Sequence, residues 1–599
     1  MELREDSAPL RRRAVALLVL LFAALGLLHL RLVDLQLVHG AQWRDLAENN
    51  RLRRLPLPGP RGSIYDRRGR VLAENLPTWE VLLYPEDARS IDETALFLAR
   101  QGISEASMFR KLLADRRVSR MAPVVVGENL SWNQVAAIRA RQSDFPELSV
   151  VSRSRRHYPY GELTAHVVGH LRPVSKEQVA DDPSLEPDAM IGATGIEASE
   201  DGFISGRFGE RWMMVSAVGR QLGVVREVEP VPGHDLGLTL DIELQRVAAD
   251  ALGERAGAVV AIDPRNGAVR VLYSSPSFDP AVFSGRLSRE DWMRLQDDPG
   301  HPLQNRCLQG MYPPGSTIKP FLAIAGLSEG LVTPESTVYC NGSVVLHGHR
   351  FRCWRRGGHG FVDLERSLEE SCDVYYYLLG QRLGIDGMAD WMHRFGFGRA
   401  TGLDLAFEAS GLIGTPEWSR RVRKTAWYAG EAVSVSIGQG PVLATVVQLA
   451  SAYAILANHG RPVRPYLAAP RREPEAPLEL DRRHLEVVNS ALAQVVRGAH
   501  GTARRLAGLP VAGKTGTSQV ARLQEGVAAA DLAPHLRHHA LFVGWAPLED
   551  PDLVVAVIVE HGGDGGAAAA PVAGRVIEAH LSASEDTAGG AIAATPPPE

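Results

Sequence analysis

Lysine is nearly missing from this chain. Of its 599 residues 65 are basic, but only Lys111, Lys176, Lys319, Lys424 and Lys514 are lysines, and the other 60 are arginines. Arginine abundance reflects genome composition and carries no function by itself. Each surviving lysine, however, stands where an amine is present in place of guanidinium. Charge of one sign is also lacking: the formal net charge of −5 gives no general attraction to nucleic acid, so none is expected as a partner. There is no internal repeat, and after Val33 no run is apolar enough to cross a membrane. What remains is ordinary globular composition, 45% hydrophobic and 23% charged, in a chain long enough for more than one domain.

The single long apolar run is "AVALLVLLFAALGLLHL", Ala14–Leu30. As a helix it spans about 25 Å, and Leu32 and Val33 lengthen it while Arg31 snorkels. Arg4, Arg11, Arg12 and Arg13 precede it, which places the N-terminus in the cytoplasm and exports the rest. A cleaved signal peptide is the alternative, but no small-x-small cleavage site follows the run.

Beyond the anchor, "RGSIYDRRGRVLA" reads as strand, turn at Asp66–Gly69, and strand. "SWNQVAAIRARQ" is a helix capped by Ser131. Glycine-rich segments at 155–171 and 192–211 complete an irregular α+β module. Pro230, Pro232 and Gly233 mark a boundary, followed by a hairpin over 257–274 that turns at Asp263–Gly267.

Ser316 and Lys319 in "PPGSTIKP" are one helical turn apart, with Ser316 able to start the helix. A serine hydroxyl needs a base to become a nucleophile, and lysine can lose a proton where arginine cannot. Two further motifs follow in order: Ser371-Cys372-Asp373 at the start of an apolar helix, and Lys514-Thr515-Gly516-Thr517 on a strand. Asp373, when ionised, favours the ammonium form of Lys319, while a second cation at Lys514 favours the amine.

These three motifs together resemble the penicillin-binding serine acyl-enzymes. The chain resembles the class B penicillin-binding proteins, most closely the elongation-specific penicillin-binding protein 2 group, over nearly its whole length. "RGSIYDRRGRVLA", "HYPYGELTAHVVGH" and "GATGIE" are similar to the family's pedestal (dimerisation-type) module. "NRCLQGMYPPGSTIKP", "FGFGRATGLDL", "SIGQG", "KTGTSQVA" and "HHALFVGWAP" are similar to its transpeptidase domain. Asp373 stands where S-x-N is commoner, and "TVVQLA" where T-P-L-Q-L-A is usual.

The resemblance implies a multidomain fold: one transmembrane helix, an irregular α+β pedestal, and a penicillin-binding transpeptidase domain built as an antiparallel sheet flanked by helices. The expected boundaries are a cytoplasmic tail at 1–13, an anchor at 14–33, the pedestal at 34–236, the transpeptidase domain at 237–582 and a disordered tail at 583–599. It implies a D,D-transpeptidase of the inner membrane, with its bulk in the periplasm, that cross-links peptidoglycan stem peptides during elongation and is inhibited by β-lactams. Ser316 would attack, Lys319 take the proton and Ser371 relay it to the leaving D-alanine. Lys514, Thr515 and Thr517 would hold the substrate carboxylate along the strand that carries Gly516, with the oxyanion between the amides of Ser316 and Thr517. No glycosyltransferase module precedes the pedestal, so a SEDS-type polymerase such as RodA is the implied partner, with MreC beside it. A β-lactamase or carboxypeptidase, a non-catalytic scaffold and an antibiotic sensor are the rival readings. The pedestal-length segment argues against the first and the intact Ser316, Lys319 and Lys514 against the second. The single anchor, which brings no evident signalling apparatus, argues against the third.

Three of the four cysteines form a separate pattern. Cys340, Cys353, His359 and Cys372 follow C-x12-C-x5-H-x12-C, a donor set suited to a closed structural zinc site behind Ser371 and Asp373. "NGSVVLHGHRF" reads as a hairpin that brings Cys340 beside Cys353. His347 and His349 are alternative ligands at its tip, and a Cys340–Cys353 disulfide or three unconnected thiols are the competing readings. Cys307 is a small buried hydrophobe, and "HLRHH" at 535–539 a loop and strand edge in preference to a metal site.

Overall fold

The computed structural model describes residues 8–41, 52–84, 90–105, 124–182, 185–186, 189–215, 221–285, 287–468, 476–520 and 532–591. Arg4 and Lys111, and the final part of the expected tail at 592–599, lie outside these residues.

Helix α1 covers Ala8–Val33 and continues into a π turn, Asp34–Val38. It begins before the apolar run because arginine is a good helix former, so Arg11, Arg12 and Arg13 extend the helix. The stretch Arg11–Val38 is long and apolar enough to cross a membrane, and its leucines are exposed on all sides. That is how a helix solvated by lipid looks.

The chain forms two compact units, Met1–Arg61 with Ser205–Gly233, and Gly62–Ile204 with His234–Glu599. In the first, strands Leu52–Leu57, Gly209–Val215 and Gln221–Val228 make an antiparallel sheet in that order.

In the second unit, the predicted strand–turn–strand is present. Ile64–Tyr65 and Val71–Leu83 flank a turn in which Asp66 Oδ1 accepts from the amides of Arg68 and Arg70, both at 2.8 Å. Ser131 caps Trp132–Ala140 in a capping box with Gln134. Val71–Leu83 pairs in register with Leu148–His157, from Glu74 opposite His157 to Leu83 opposite Leu148. Arg156 at the end of that ladder is buried. It donates to Glu197 Oε1 at 2.7 Å, to the Gly62 carbonyl at 2.8 Å and to Asn75 Oδ1 at 3.2 Å. One guanidinium therefore ties together the three pedestal segments "RGSIYD", "RRHYPYG" and "GATGIE".

The catalytic part is a sheet of β1 (Gly257–Ile262), β2 (Val269–Ser275), β3 (Ala512–Ser518), β4 (His539–Ala546) and β5 (Leu553–Val559), antiparallel throughout, in the order β2–β1–β5–β4–β3. Helices α2 (Ile242–Leu252), α3 (Lys319–Ser328), α4 (Asp373–Arg394), α5 (Ala429–Val435), α6 (Val446–Ala457) and α7 (Gly565–Ala591) surround it. Helices α2 and α7 pack together on the sheet, α6 packs on β1, β4 and β5, and α3 packs against α4. Covered on both sides, the central strands lose the alternation of a half-exposed sheet, and all of "LVVAVIV" in β5 is buried. Helix α7 runs to Ala591, past the boundary at 582 that composition suggested.

Candidate active site

Three backbone segments converge where the catalytic motifs meet. Gly315 has φ +56, and a Cβ there would lie 2.7 Å from the Thr517 carbonyl oxygen on β3. Its amide donates to the Gly438 carbonyl at 2.9 Å, and a Cβ on Gly438 would meet the Gly315 oxygen at 2.1 Å. Only glycines permit this approach of "PPGST", "SIGQG" and the edge strand.

Ser316 lies in a 3-10 turn, Gly315–Ile318, and α3 begins at Lys319. The serine thus precedes the helix instead of opening it, because two prolines and a left-handed glycine impose a tighter turn first. Its side chain caps nothing and is half-buried. Lys319 is fully buried. Its Nζ donates to Asp373 Oδ1 at 2.7 Å, to the Ser371 carbonyl at 2.9 Å and to Ser371 Oγ at 3.3 Å, and sits 5.3 Å from the Tyr376 ring centre. Ser371 holds a left-handed φ of +55, a strained conformation for serine that aims both its oxygens at the lysine. Asp373 is the first residue of α4, and burial raises its carboxyl pKa while the charge of Lys319 opposes the rise.

Lys514 reaches the same site from β3, is wholly buried, and donates to the Thr515 carbonyl at 3.2 Å. Burial, and then the charge of Lys319, hold its ammonium well below the ordinary lysine range. Thr515 Oγ1 is 2.7 Å from Thr502 Oγ1. Strand β3 is the edge of the sheet, with Gly516 and Thr517 beside the serine turn.

Two residues at the site escaped sequence reasoning. Gln439 donates to the Thr517 carbonyl at 2.8 Å and accepts from the Gln519 amide at 3.2 Å, clamping the free edge of β3. Since a strand residue directs its N–H and C=O to the same side, the Thr517 amide also points away from β4. Trp354 donates its backbone N–H to Asp373 Oδ2 at 2.9 Å and its indole N–H to the carbonyls of Glu370 and Ser371 at 3.0 and 3.1 Å. The available signals were the SIGQG run for Gln439 and adjacency to Cys353 for Trp354.

Behind Ser371 and Asp373, the ligand atoms of Cys340, Cys353, His359 and Cys372 all lie within 4.8 Å of one another, and all four residues are buried. The predicted hairpin is present as Ser343–Leu346 and His349–Arg352, and the Cys353 amide donates to Gly342 at its base. His347 and His349 are exposed on the hairpin, outside the cluster. His359 Nδ1 is 3.6 Å from the sulfurs of both Cys340 and Cys353. Tetrahedral bonds of about 2.3 Å to sulfur and 2.0–2.1 Å to nitrogen would separate these atoms by about 3.6 Å. The thiols are free. Hydrogen bonding from Cys372 lowers the Cys353 thiol pKa against the opposing effect of burial, with His359 adding to the lowering, and Cys372 is pushed up in turn. Cys307 is buried against the Tyr273 carbonyl at 3.3 Å. His539 opens β4, and His538 Nδ1 accepts from the Val520 amide, as a loop and strand edge should.

Residues 257–578 match the penicillin binding protein transpeptidase domain, and residues 56–238 the penicillin-binding protein dimerisation domain. The chain is 36% identical over 594 residues to the peptidoglycan D,D-transpeptidase MrdA of Acinetobacter baumannii, covering 95% of this chain and 87% of that one. Its fold is similar to that of the penicillin-binding protein PBP2 in a complex with MreC from Helicobacter pylori, with TM-score 0.79 and 26% identity over 89% of this chain and 99% of that one. It is also similar to a chain of a peptidoglycan synthase complex that coordinates polymerization and crosslinking, with TM-score 0.71 and 30% identity over 95% and 98% of the two chains. With two domain matches in the expected order and near full-length identity to a named transpeptidase, this chain belongs to the penicillin-binding peptidoglycan D,D-transpeptidases.

Proposed function

We propose that Ser316 is the nucleophile of this transpeptidase and that Lys319, Ser371, Asp373 and Lys514 form its proton and carboxylate machinery. The observation that carries this reading is the position of Lys319 Nζ, buried one turn from half-buried Ser316 and within hydrogen-bond distance of Ser371 Oγ and Asp373. Ser316 Oγ attacks the carbonyl of the penultimate D-alanine while its proton passes to Lys319. The C–N bond breaks and the terminal D-alanine leaves, taking a proton through Ser371. An amine of a second stem peptide then attacks the ester, gives up a proton and releases Ser316. Backbone amides of Ser316 and Thr517 receive the oxyanion. Lys514, Thr515 and Thr517 bind the terminal carboxylate, with Gly516 leaving room between β3 and the serine turn. A penicillin takes the same path to a stable ester. The test is fluorescent-penicillin labelling: wild type should label, Lys319→Arg should label at least a hundredfold more slowly because guanidinium cannot accept the proton, and equal labelling would contradict the assignment. Rapid turnover of the label would favour a β-lactamase instead.

The reading that Cys340, Cys353, His359 and Cys372 hold one structural zinc is supported by the 3.6 Å sulfur–nitrogen separations and the stabilised Cys353 thiolate. A bound zinc would neutralise the thiolates and cross-link the hairpin to the Ser371–Asp373 turn. The residues themselves do the positioning: the Asp373 amide donates to Cys353 Sγ at 3.4 Å, and Trp354 bonds Asp373 and Ser371. Metal analysis of the purified protein should give about one zinc per chain; a Cys340–Cys353 disulfide with no metal would contradict it.

Arg11, Arg12 and Arg13 support a cytoplasmic N-terminus and a periplasmic catalytic body on a single inner-membrane anchor. Likeness to a PBP2 seen with MreC, and to a chain of a peptidoglycan synthase complex, supports work in elongation beside MreC and a SEDS polymerase such as RodA.

A further inference from the structure

Cross-linking needs two strands, and the groups above account for one. The donor peptide uses the β3 edge and Lys514; the acceptor must reach the acyl-serine from elsewhere. Such a surface lies upstream of the SIGQG loop, in "TPEWSRRVRKTAWYAGEA", residues 415–432.

Thr415 caps the turn Pro416–Trp418, and a π turn follows at Ser419–Arg423, ended by Lys424 in a left-handed conformation with φ +59. Single π turns recur at functional sites. Arg423 is the internal strut: it pairs with Glu431 at 2.5 Å, donates to Ser419 Oγ at 2.8 Å, and stacks over Trp418 and Trp427 with its guanidinium 5.0 and 6.0 Å from their centres. With Glu431 engaged there, the other cations stand alone. The Arg420 guanidinium donates only to the Pro416 carbonyl at 3.3 Å, and among the described residues neither the Arg421 nor the Lys424 side chain has a hydrogen-bond or ion-pair partner. Some surface arginines elsewhere are paired, as Arg246 with Glu243, Arg294 with Asp291 and Arg482 with Glu486, and others such as Arg350 and Arg575 stand singly among the described residues; here three unpaired cations fall within five residues. Val422 lies among the free cations and Tyr428 follows four residues after Lys424, both exposed, the latter 68% accessible.

This arm joins the catalytic centre directly. Helix α5 starts at Ala429, and its end leads into Gly438, bonded to the Gly315 turn, and Gln439, bonded to β3. Seven helical residues span about 10 Å, the reach of about three residues of extended peptide. A stem peptide that offers an amine also carries the carboxylate of its own C-terminus, and a glycan strand repeats that charge.

We propose that Arg420, Arg421 and Lys424, with Tyr428, form the binding surface for the carboxylate-bearing acceptor strand. The proposal rests on the acyl-enzyme reading above. It assigns these residues to the second half-reaction alone, where holding the amine near the ester favours aminolysis over hydrolysis.

The test uses the full-length chain with Arg420→Gln, Arg421→Gln and Lys424→Gln combined, and three readouts. Fluorescent-penicillin labelling should stay within about twofold of wild type, as should exchange of the donor's terminal D-alanine for a free D-amino acid, which is too small to span the arm. Cross-linking of uncross-linked glycan strands should fall about tenfold at low salt through a raised KM for the acceptor, and this difference should vanish near 0.5 M salt, where the Debye length is only about 4 Å. Unchanged cross-linking at low salt would overturn the proposal. So would an equal loss in all three readouts, or a loss seen only when an acidic partner protein is added. If wild type itself fails to form an ester on Ser316, the underlying reading fails, not this one.

Discussion

Lys319 and Lys514 are the residues on which the account turns, and each has a distinct signature. Lys319 is surrounded by acceptors; Lys514 is buried with a carbonyl and a second lysine nearby. Removing the nucleophile by Ser316→Ala should abolish acylation and leave thermal stability within about 1 kcal/mol, since its side chain makes no cap. Lys514→Met should do the opposite to the fold. Its pKa is lowered on folding, so between the folded value and the unfolded value near 10.5 the unfolded chain binds the extra proton. Stability then rises with pH across that window, by up to about 1.4 kcal/mol per pH unit for one proton. The methionine variant should lose this slope, melt higher at neutral pH, and acylate at least tenfold more slowly. A variant with an unchanged pH slope would show that burial does not lower the Lys514 pKa on folding.

At the scale of elements, the site is a meeting of one turn, one loop and one edge strand. Gln439→Ala removes both bonds that hold the end of β3, and should slow acylation about tenfold with little loss of melting temperature, because the clamp lies at an edge and not in the core. His359→Ala should destabilise the hairpin and the Ser371–Asp373 turn together, visible as faster amide exchange in both; exchange confined to the hairpin would argue that the cluster is not a shared brace. These element-level links mark where sequence reading succeeds and fails. The hairpin at 257–274, the capped helix after Ser131 and the all-apolar β5 were legible because local chemistry and tertiary environment agree there. The 3-10 turn before Lys319 was not, since Ser316 followed by an apolar helix looks locally like a cap, and only contact with β3 and Gly438 sets the tighter turn. Trp354 and Gln439 act through backbone bonds to residues distant in sequence, which no spacing rule reveals. The extent of α7 was hidden because alanine-rich composition fits both a tail and a helix.

For the whole molecule, the anchor and the chemistry are separable in the chain: α1 ends at Val33 and the catalytic motifs begin near Pro313. A chain lacking residues 1–38 should be soluble and should label with penicillin at the full-length rate, while failing to support growth because partners and substrate are at the membrane; loss of labelling would mean that the anchor segment contributes to the catalytic fold. Breaking the buried strut by Arg156→Ala removes the buried ion pair with Glu197 and the bonds to Gly62 and Asn75, and should cost on the order of 3 kcal/mol of stability, without changing the acylation rate of the protein that remains folded. The central claim is narrower than any of these, namely that one hydroxyl becomes an ester. The direct measurement is mass spectrometry of peptides from penicillin-treated full-length protein. The account predicts a single penicilloyl adduct on Ser316, absent after Ser316→Ala and strongly reduced after Lys319→Arg; an adduct on another residue, or one that persists in the alanine variant, would contradict it.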